Sequence, residues 1–170
     1  MKTNIKKLTL SAVIVAISVA CSTLSIPVGA SRCFPVQHLS NIIAGVFLGP
    51  WYALGTAFVT SLIRNILGTG SLLAFPGSMV GAFLCGFLYQ KFNRLPLAYI
   101  GELFGTGILG ALLAYPIAKL IIGNGTAVLF TYILPFSLSS FGGTVIAIFF
   151  VQALKRTKVF DEFLKEKKNA

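Results

Sequence analysis

Apolar residues run along this chain in long blocks, separated by short stretches rich in Gly, Pro, Ser and Asn. The blocks are longer than buried strands and lack the polar stripe of an amphipathic surface helix. They predict helices that are apolar nearly all round. The first runs from about Leu8 to Ile26 and stops at Pro27. The second, about His38 to Leu48, ends at Gly49-Pro50, a strong turn signal. It is short for a membrane span, so it either tilts or begins inside the preceding loop near Phe34. The third starts at Pro50-Trp51 and reaches about Leu67, with Pro suited to a first turn and Trp51-Tyr52 placed as an interfacial anchor. The fourth covers about Ser78 to Gln90, the fifth about Leu97 to Ile122 with a kink expected at Pro116, and the sixth about Tyr132 to Leu154. Loops fall at 27–37, 68–77 and 123–131, with tighter connections at Gly49-Pro50 and Lys91–Pro96.

Composition decides the solvent. Of 170 residues, 56% are hydrophobic and 11% charged, against about 25% charged in a soluble domain. The chain lacks the polar residues to cover a water-exposed surface, and the reading is an all-α membrane protein of six transmembrane helices. Residues 1–158 form one domain and 159–170 a charged tail.

The net charge of +10 invites a nucleic-acid reading, but its placement argues against one. Eleven of the fourteen basic residues lie in three clusters just outside apolar blocks: Lys2, Lys6 and Lys7; Lys91 and Arg94; and Lys155, Arg156, Lys158, Lys165, Lys167 and Lys168. That is the positive-inside pattern, which puts both termini in the cytoplasm and the three longer loops outside. Lys2–Lys7 before an apolar run resembles a signal peptide, and Val19-Ala20-Cys21 loosely resembles a lipoprotein cleavage site. Ser18 is a poor residue for that site, so the segment reads as a retained first helix.

Polar groups inside a bilayer are costly, and those present are functional or paired. Gln37, His38 and Asn41 open the second helix, Arg64 and Asn65 close the third, Tyr115 and Lys119 share a face of the fifth, and Ser137, Ser139 and Ser140 sit in the sixth. Most gather at the outer side, beneath Gly-rich loops. This predicts an outward pocket, with Phe34, Phe75 and Tyr115 as ring-stacking surfaces. Arg32 reads equally as a solvated loop charge, and Lys119 as a side chain reaching the headgroups. Glu102 either pairs with Arg64, across an axial gap of about 12 Å, or hydrogen-bonds between close-packed helices among Gly101, Gly105 and Gly107. Cys21, Cys33 and Cys85 show no metal-type spacing, and Cys33 with His38 does not make a metal site. No cofactor, metal or catalytic set is expected, and no Walker-type phosphate loop is present. On the first helix Ala12, Ala16 and Ala20 make a small-residue stripe that lets another helix approach, within this bundle or from a partner.

The segments Cys33-Phe34-Pro35-Val36-Gln37-His38, Leu48-Gly49-Pro50-Trp51-Tyr52-Ala53 and Gly68-Thr69-Gly70-Ser71-Leu72-Leu73-Ala74-Phe75-Pro76-Gly77-Ser78 resemble the ThiW family. Six apolar helices with an Ala-x-x-x-Ala first helix are similar to the substrate-binding (S) components of energy-coupling factor vitamin transporters. The resemblance implies an S-component bundle that captures hydroxyethylthiazole, the thiazole precursor of thiamine. It also implies a membrane coupling (T) protein and two ATPase subunits as partners. Aromatic, amide and imidazole groups suit a thiazole, whereas Arg64, Arg32 and Lys119 suit an anionic ligand such as its phosphate. An S component for a different vitamin is the nearest alternative. A small intramembrane enzyme, which needs paired acids or a nucleophile–base pair, is the alternative from another class.

Overall fold

The computed structural model describes residues 2–28, 31–157 and 160. Its helices are α1 (Lys2–Ala20), α2 (Pro35–Leu48), α3 (Pro50–Ile66), α4 (Ala74–Phe92), α5 (Leu95–Phe104), α6 (Ala111–Pro116) and α7 (Ile133–Lys155). The expected tail lies outside the described residues except for Phe160, which is buried with its ring 5.5 Å from that of Phe47.

Several boundaries move from those read along the sequence. The first helix ends at Ala20 in a 3₁₀ turn, Cys21–Thr23, rather than at Ile26. Beyond it, β1 (Ile26–Val28) pairs antiparallel with β2 (Ser31–Cys33), with Pro27 opposite Arg32. This hairpin is the one departure from an all-helical chain among the described residues. Three residues per strand are too few to show alternation, which hid it. The second helix starts at Pro35 and the fourth at Ala74, because Pro35 and Pro76 both sit in a first turn, where Pro costs no hydrogen bond.

Helix α2 is the axle. Eleven of its fourteen residues are buried, with Ile42, Ala44 and Val46 wholly inaccessible, and α1, α3, α4 and α7 pack around it. Gly49 turns the chain from α2 into α3 at φ +90°, a conformation that favours glycine. The long element Leu95–Ile121 is not a regular helix with one kink. Two π-helical turns, Gly105–Gly110 and Ile117–Ile121, flank α6. Pro116 borders the second and contributes no N–H to the ladder, whereas the first coincides with a run of glycines.

Close approach of α4 and this element places the buried polar residues. A Cβ on Gly105 would lie 2.8 Å from Gly81 Cα, and one on Gly110 would lie 2.6 Å from Gly77 Cα. The helices touch backbone to backbone, as small residues permit in lipid. Gly81→Ala should therefore be costly, since its Cβ would overlap the Thr106 hydroxyl and come 2.7 Å from Glu102 Oε2. The expected loss is about 1–3 kcal/mol, read as a lower unfolding midpoint in detergent. Gly55→Ala, with nothing within 4 Å, is the control and should stay within about 1 kcal/mol of the parent.

Three helical stretches are long and apolar enough to cross a bilayer: Ile5–Thr23, Leu95–Ile121 and Ile133–Lys155. Their outer faces expose large apolar side chains such as Leu120, Phe141 and Phe149. Water would penalise such a surface and hydrocarbon accepts it.

Candidate functional site

A cavity of about 540 Å³ lies at the hairpin end of the bundle, a size that suits a small organic ligand. Its polar wall comes from α2 (Gln37, His38), α3 (Arg64) and α7 (Ser139), and its rim from Ser22, Thr23 and Arg32. The Gly68–Ser71 loop and α4 residues Ala74, Gly77 and Ser78 close another side.

The centre of the wall is a hydrogen-bonded line. Phe34 N–H donates to Ser139 Oγ at 2.8 Å, and Ser139 Oγ stands 3.0 Å from His38 Nε2. His38 Nδ1 lies 2.8 Å from Glu102 Oε1. With the proton on Nδ1 and donated to Glu102, Nε2 accepts from the Ser139 hydroxyl. Glu102 Oε1 also accepts from Asn41 Nδ2 and Thr106 Oγ1, each at 3.0 Å. Asn41 and Ser78 are tied in turn, the Ser78 hydroxyl donating to Asn41 Oδ1 at 3.1 Å. Glu102 is wholly inaccessible. Its role is to orient His38 from behind the cavity.

Arg64 and Glu102 do not pair. Glu102 is taken by His38, Asn41 and Thr106, while Arg64 Nη2 donates to the Thr69 carbonyl at 3.1 Å and its Cζ lies 4.1 Å from the Phe34 ring centroid. Of the residues singled out from sequence, Phe34, Gln37, His38, Arg64 and Ser139 line the cavity. Asn41, Asn65, Phe75 and Tyr115 do not. Asn41 lies behind His38, and Asn65 Nδ2 bonds the Ser61 and Ser71 carbonyls, pinning the loop to α3. Phe75 packs on Phe58, with centroids 5.6 Å apart, and the Tyr115 hydroxyl accepts from Lys119 Nζ at 3.1 Å.

The aromatic wall comes instead from Tyr132 and Phe136, four apart at the start of α7, with centroids at 6.0 Å. That spacing puts two rings on one helical face and was legible in the sequence. Thr106 was not, since only the π-helical turn brings its hydroxyl within 3.1 Å of the Gly77 carbonyl. Burial raises the Cys33 thiol pKa more than its hydrogen bond with Ser139 lowers it, which makes it a sluggish thiol at neutral pH. Among the described residues, no three His, Cys, Asp or Glu side chains cluster as metal ligands.

The family model for the thiamine-precursor transporter protein ThiW matches residues 8–157, from α1 through the end of α7. The chain belongs to the ThiW family. No curated protein and no solved structure matches it. Family membership makes the chain a thiamine-precursor transporter.

Proposed function

We propose that this protein is the substrate-capturing S component of an energy-coupling factor importer, taking up hydroxyethylthiazole or its phosphate across the bacterial plasma membrane. The observation that carries the reading is the cavity at the hairpin end, in a chain of the thiamine-precursor transporter family. The ring stacks on Tyr132 and Phe136, and Gln37, whose amide carries a second N–H beside the one given to Ser61, donates to its nitrogen. In this reading six helical passes cross the bilayer, both termini are cytoplasmic, and the hairpin end faces outward. The shortness of α2 is compatible with a span, because burial among its neighbours keeps its ends away from lipid. In this reading energy comes from a coupling protein and two ATPase subunits, as the resemblance to S components implies.

Purified protein should bind the thiazole compound and not the hydroxymethylpyrimidine precursor, and uptake into cells should require the ATPase module. Pyrimidine binding without thiazole binding would overturn the substrate, and uptake without the module would overturn the coupling. Topology is tested separately. A single cysteine at Ser71 should react with a membrane-impermeant maleimide from outside the cell, and one at Asn93 only after permeabilisation. Labelling of Ser71 from inside alone would invert the map.

One observation favours a second reading. Ser139, His38 and Glu102 stand in the order of nucleophile, base and orienting acid. Hydrolysis of an ester by purified protein, lost in Ser139→Ala, would establish it, and the importer reading expects none.

A further inference from the structure

Among the described residues, Arg64 is a buried cation without a counter-charge. Its side chain is 1% exposed, yet it has one hydrogen bond, to the Thr69 carbonyl, and one ring contact, with Phe34. Its Nε has no hydrogen-bond partner. Taking a guanidinium out of water is strongly unfavourable unless an anion and further hydrogen bonds compensate it. Glu102 does not serve, because no Arg64 nitrogen lies within 4 Å of its carboxylate: Oε1 holds His38, Asn41 and Thr106, and Oε2 has no hydrogen-bond partner.

The geometry makes this cation a prepared one. Phe34 covers a face of the guanidinium, and anions bind in its plane, along the N–H edge. Nε on that edge is vacant. The stem is held as well, for a Cβ on Gly70 would lie 3.1 Å from Arg64 Cβ, so the loop packs directly on the side chain. The surrounding wall is of one sign. Arg64 and Arg32 line the cavity, and among the described residues no Asp or Glu does. Thr23 and Ser71 also line the cavity.

We infer that the cavity contains an anion subsite centred on Arg64, and that its ligand is an organic phosphate monoester rather than the free alcohol. A monoester carries about −1.5 to −2 charge near neutrality, which matches two cations better than a neutral hydroxyl does. The phosphate sits at the Arg64 edge and the ring against Tyr132 and Phe136. The inference rests on the thiazole reading for the identity of the ring alone.

The test is equilibrium binding to purified protein in detergent. The probes are hydroxyethylthiazole, its phosphate ester and inorganic phosphate as competitor. The ester should bind at least about tenfold more tightly than the alcohol, and millimolar inorganic phosphate should displace it. Arg64→Gln should bring the ester-to-alcohol preference close to one, and Arg64→Lys should restore part of it. Equal binding of alcohol and ester to the parent protein overturns the subsite while the thiazole reading stands. Arg64-dependent binding of inorganic phosphate, with neither thiazole compound bound, supports the subsite and removes the thiazole reading. Displacement of the ester by short-chain phosphatidylglycerol but not by inorganic phosphate assigns the cation to a lipid headgroup and overturns the proposal. Should Arg64→Gln fail to fold, the ligand comparison on the parent protein decides alone. If it folds with an unchanged melting temperature and loses alcohol and ester affinity by the same factor, Arg64 is not an anion site.

Discussion

Replacing Ala16 with Trp should abolish energised uptake while ligand binding to the purified protein stays at the parent level. Ala12, Ala16 and Ala20 all lie on the exposed side of α1. Ile14 and Ser18 turn inward instead, Ser18 donating to Ser40 Oγ at 2.6 Å. The stripe is thus outside the bundle, and Ala12 and Ala16 lie well before Ser22 and Thr23, the cavity-rim residues that follow α1. Helices associate in lipid through close packing rather than hydrophobicity, so added volume is the effective perturbation. Trp remains apolar and the variant should still insert. Under the proposed coupling it should lose co-purification with the coupling protein together with uptake. Retained uptake with Trp at both Ala12 and Ala16 would remove the stripe as a docking face.

Glu102→Ala should be the most damaging single change to the bundle. It strips the acceptor from His38 Nδ1, and one of two acceptors from Asn41 and Thr106, which keep the Ser78 and Gly77 carbonyls. Each buried donor left without a partner costs about 1–3 kcal/mol, and folded proteins retain only about 5–15 kcal/mol in all. The unfolding midpoint in detergent should fall sharply, and ligand binding with it, because His38 loses the group that orients it. Glu102→Gln keeps one acceptor oxygen and should lose less on both counts. An Ala variant that melts with the parent protein would show that the network does not hold the bundle together.

Much of the site was within reach of the sequence at the level of neighbourhoods. Phe34, Gln37, His38, Arg64 and Ser139 were all identifiable as polar or aromatic groups at one end of apolar helices, and all line the cavity. Asn41 and Asn65 were indistinguishable from them by that test, because depth along a helix says nothing about azimuth. Asn41 faces Ser78 and Glu102, and Asn65 turns back onto its own loop. Phe75 and Tyr115 are not among the cavity-lining residues, and their rings meet Phe58 and Lys119 instead. The pairing of Glu102 with His38 rather than Arg64 follows from the tight contact of α4 with the glycine-rich element beside it. That contact depends on backbone distances no spacing rule supplies.

What the sequence determined by itself is therefore the one-dimensional part. Apolar block lengths, Pro and Gly punctuation and the position of each Lys and Arg settle which segments are helical and prefer lipid, because each is a local free energy of burial or turn formation. The tertiary structure alone decided which polar groups meet. It set the π-helical turn at Gly105–Gly110, the hairpin at the cavity rim, the outward face of the alanine stripe and the unpaired state of Arg64. Those outcomes depend on how helices rotate and cross, and rotation is chosen by packing at glycine contacts between segments distant in sequence.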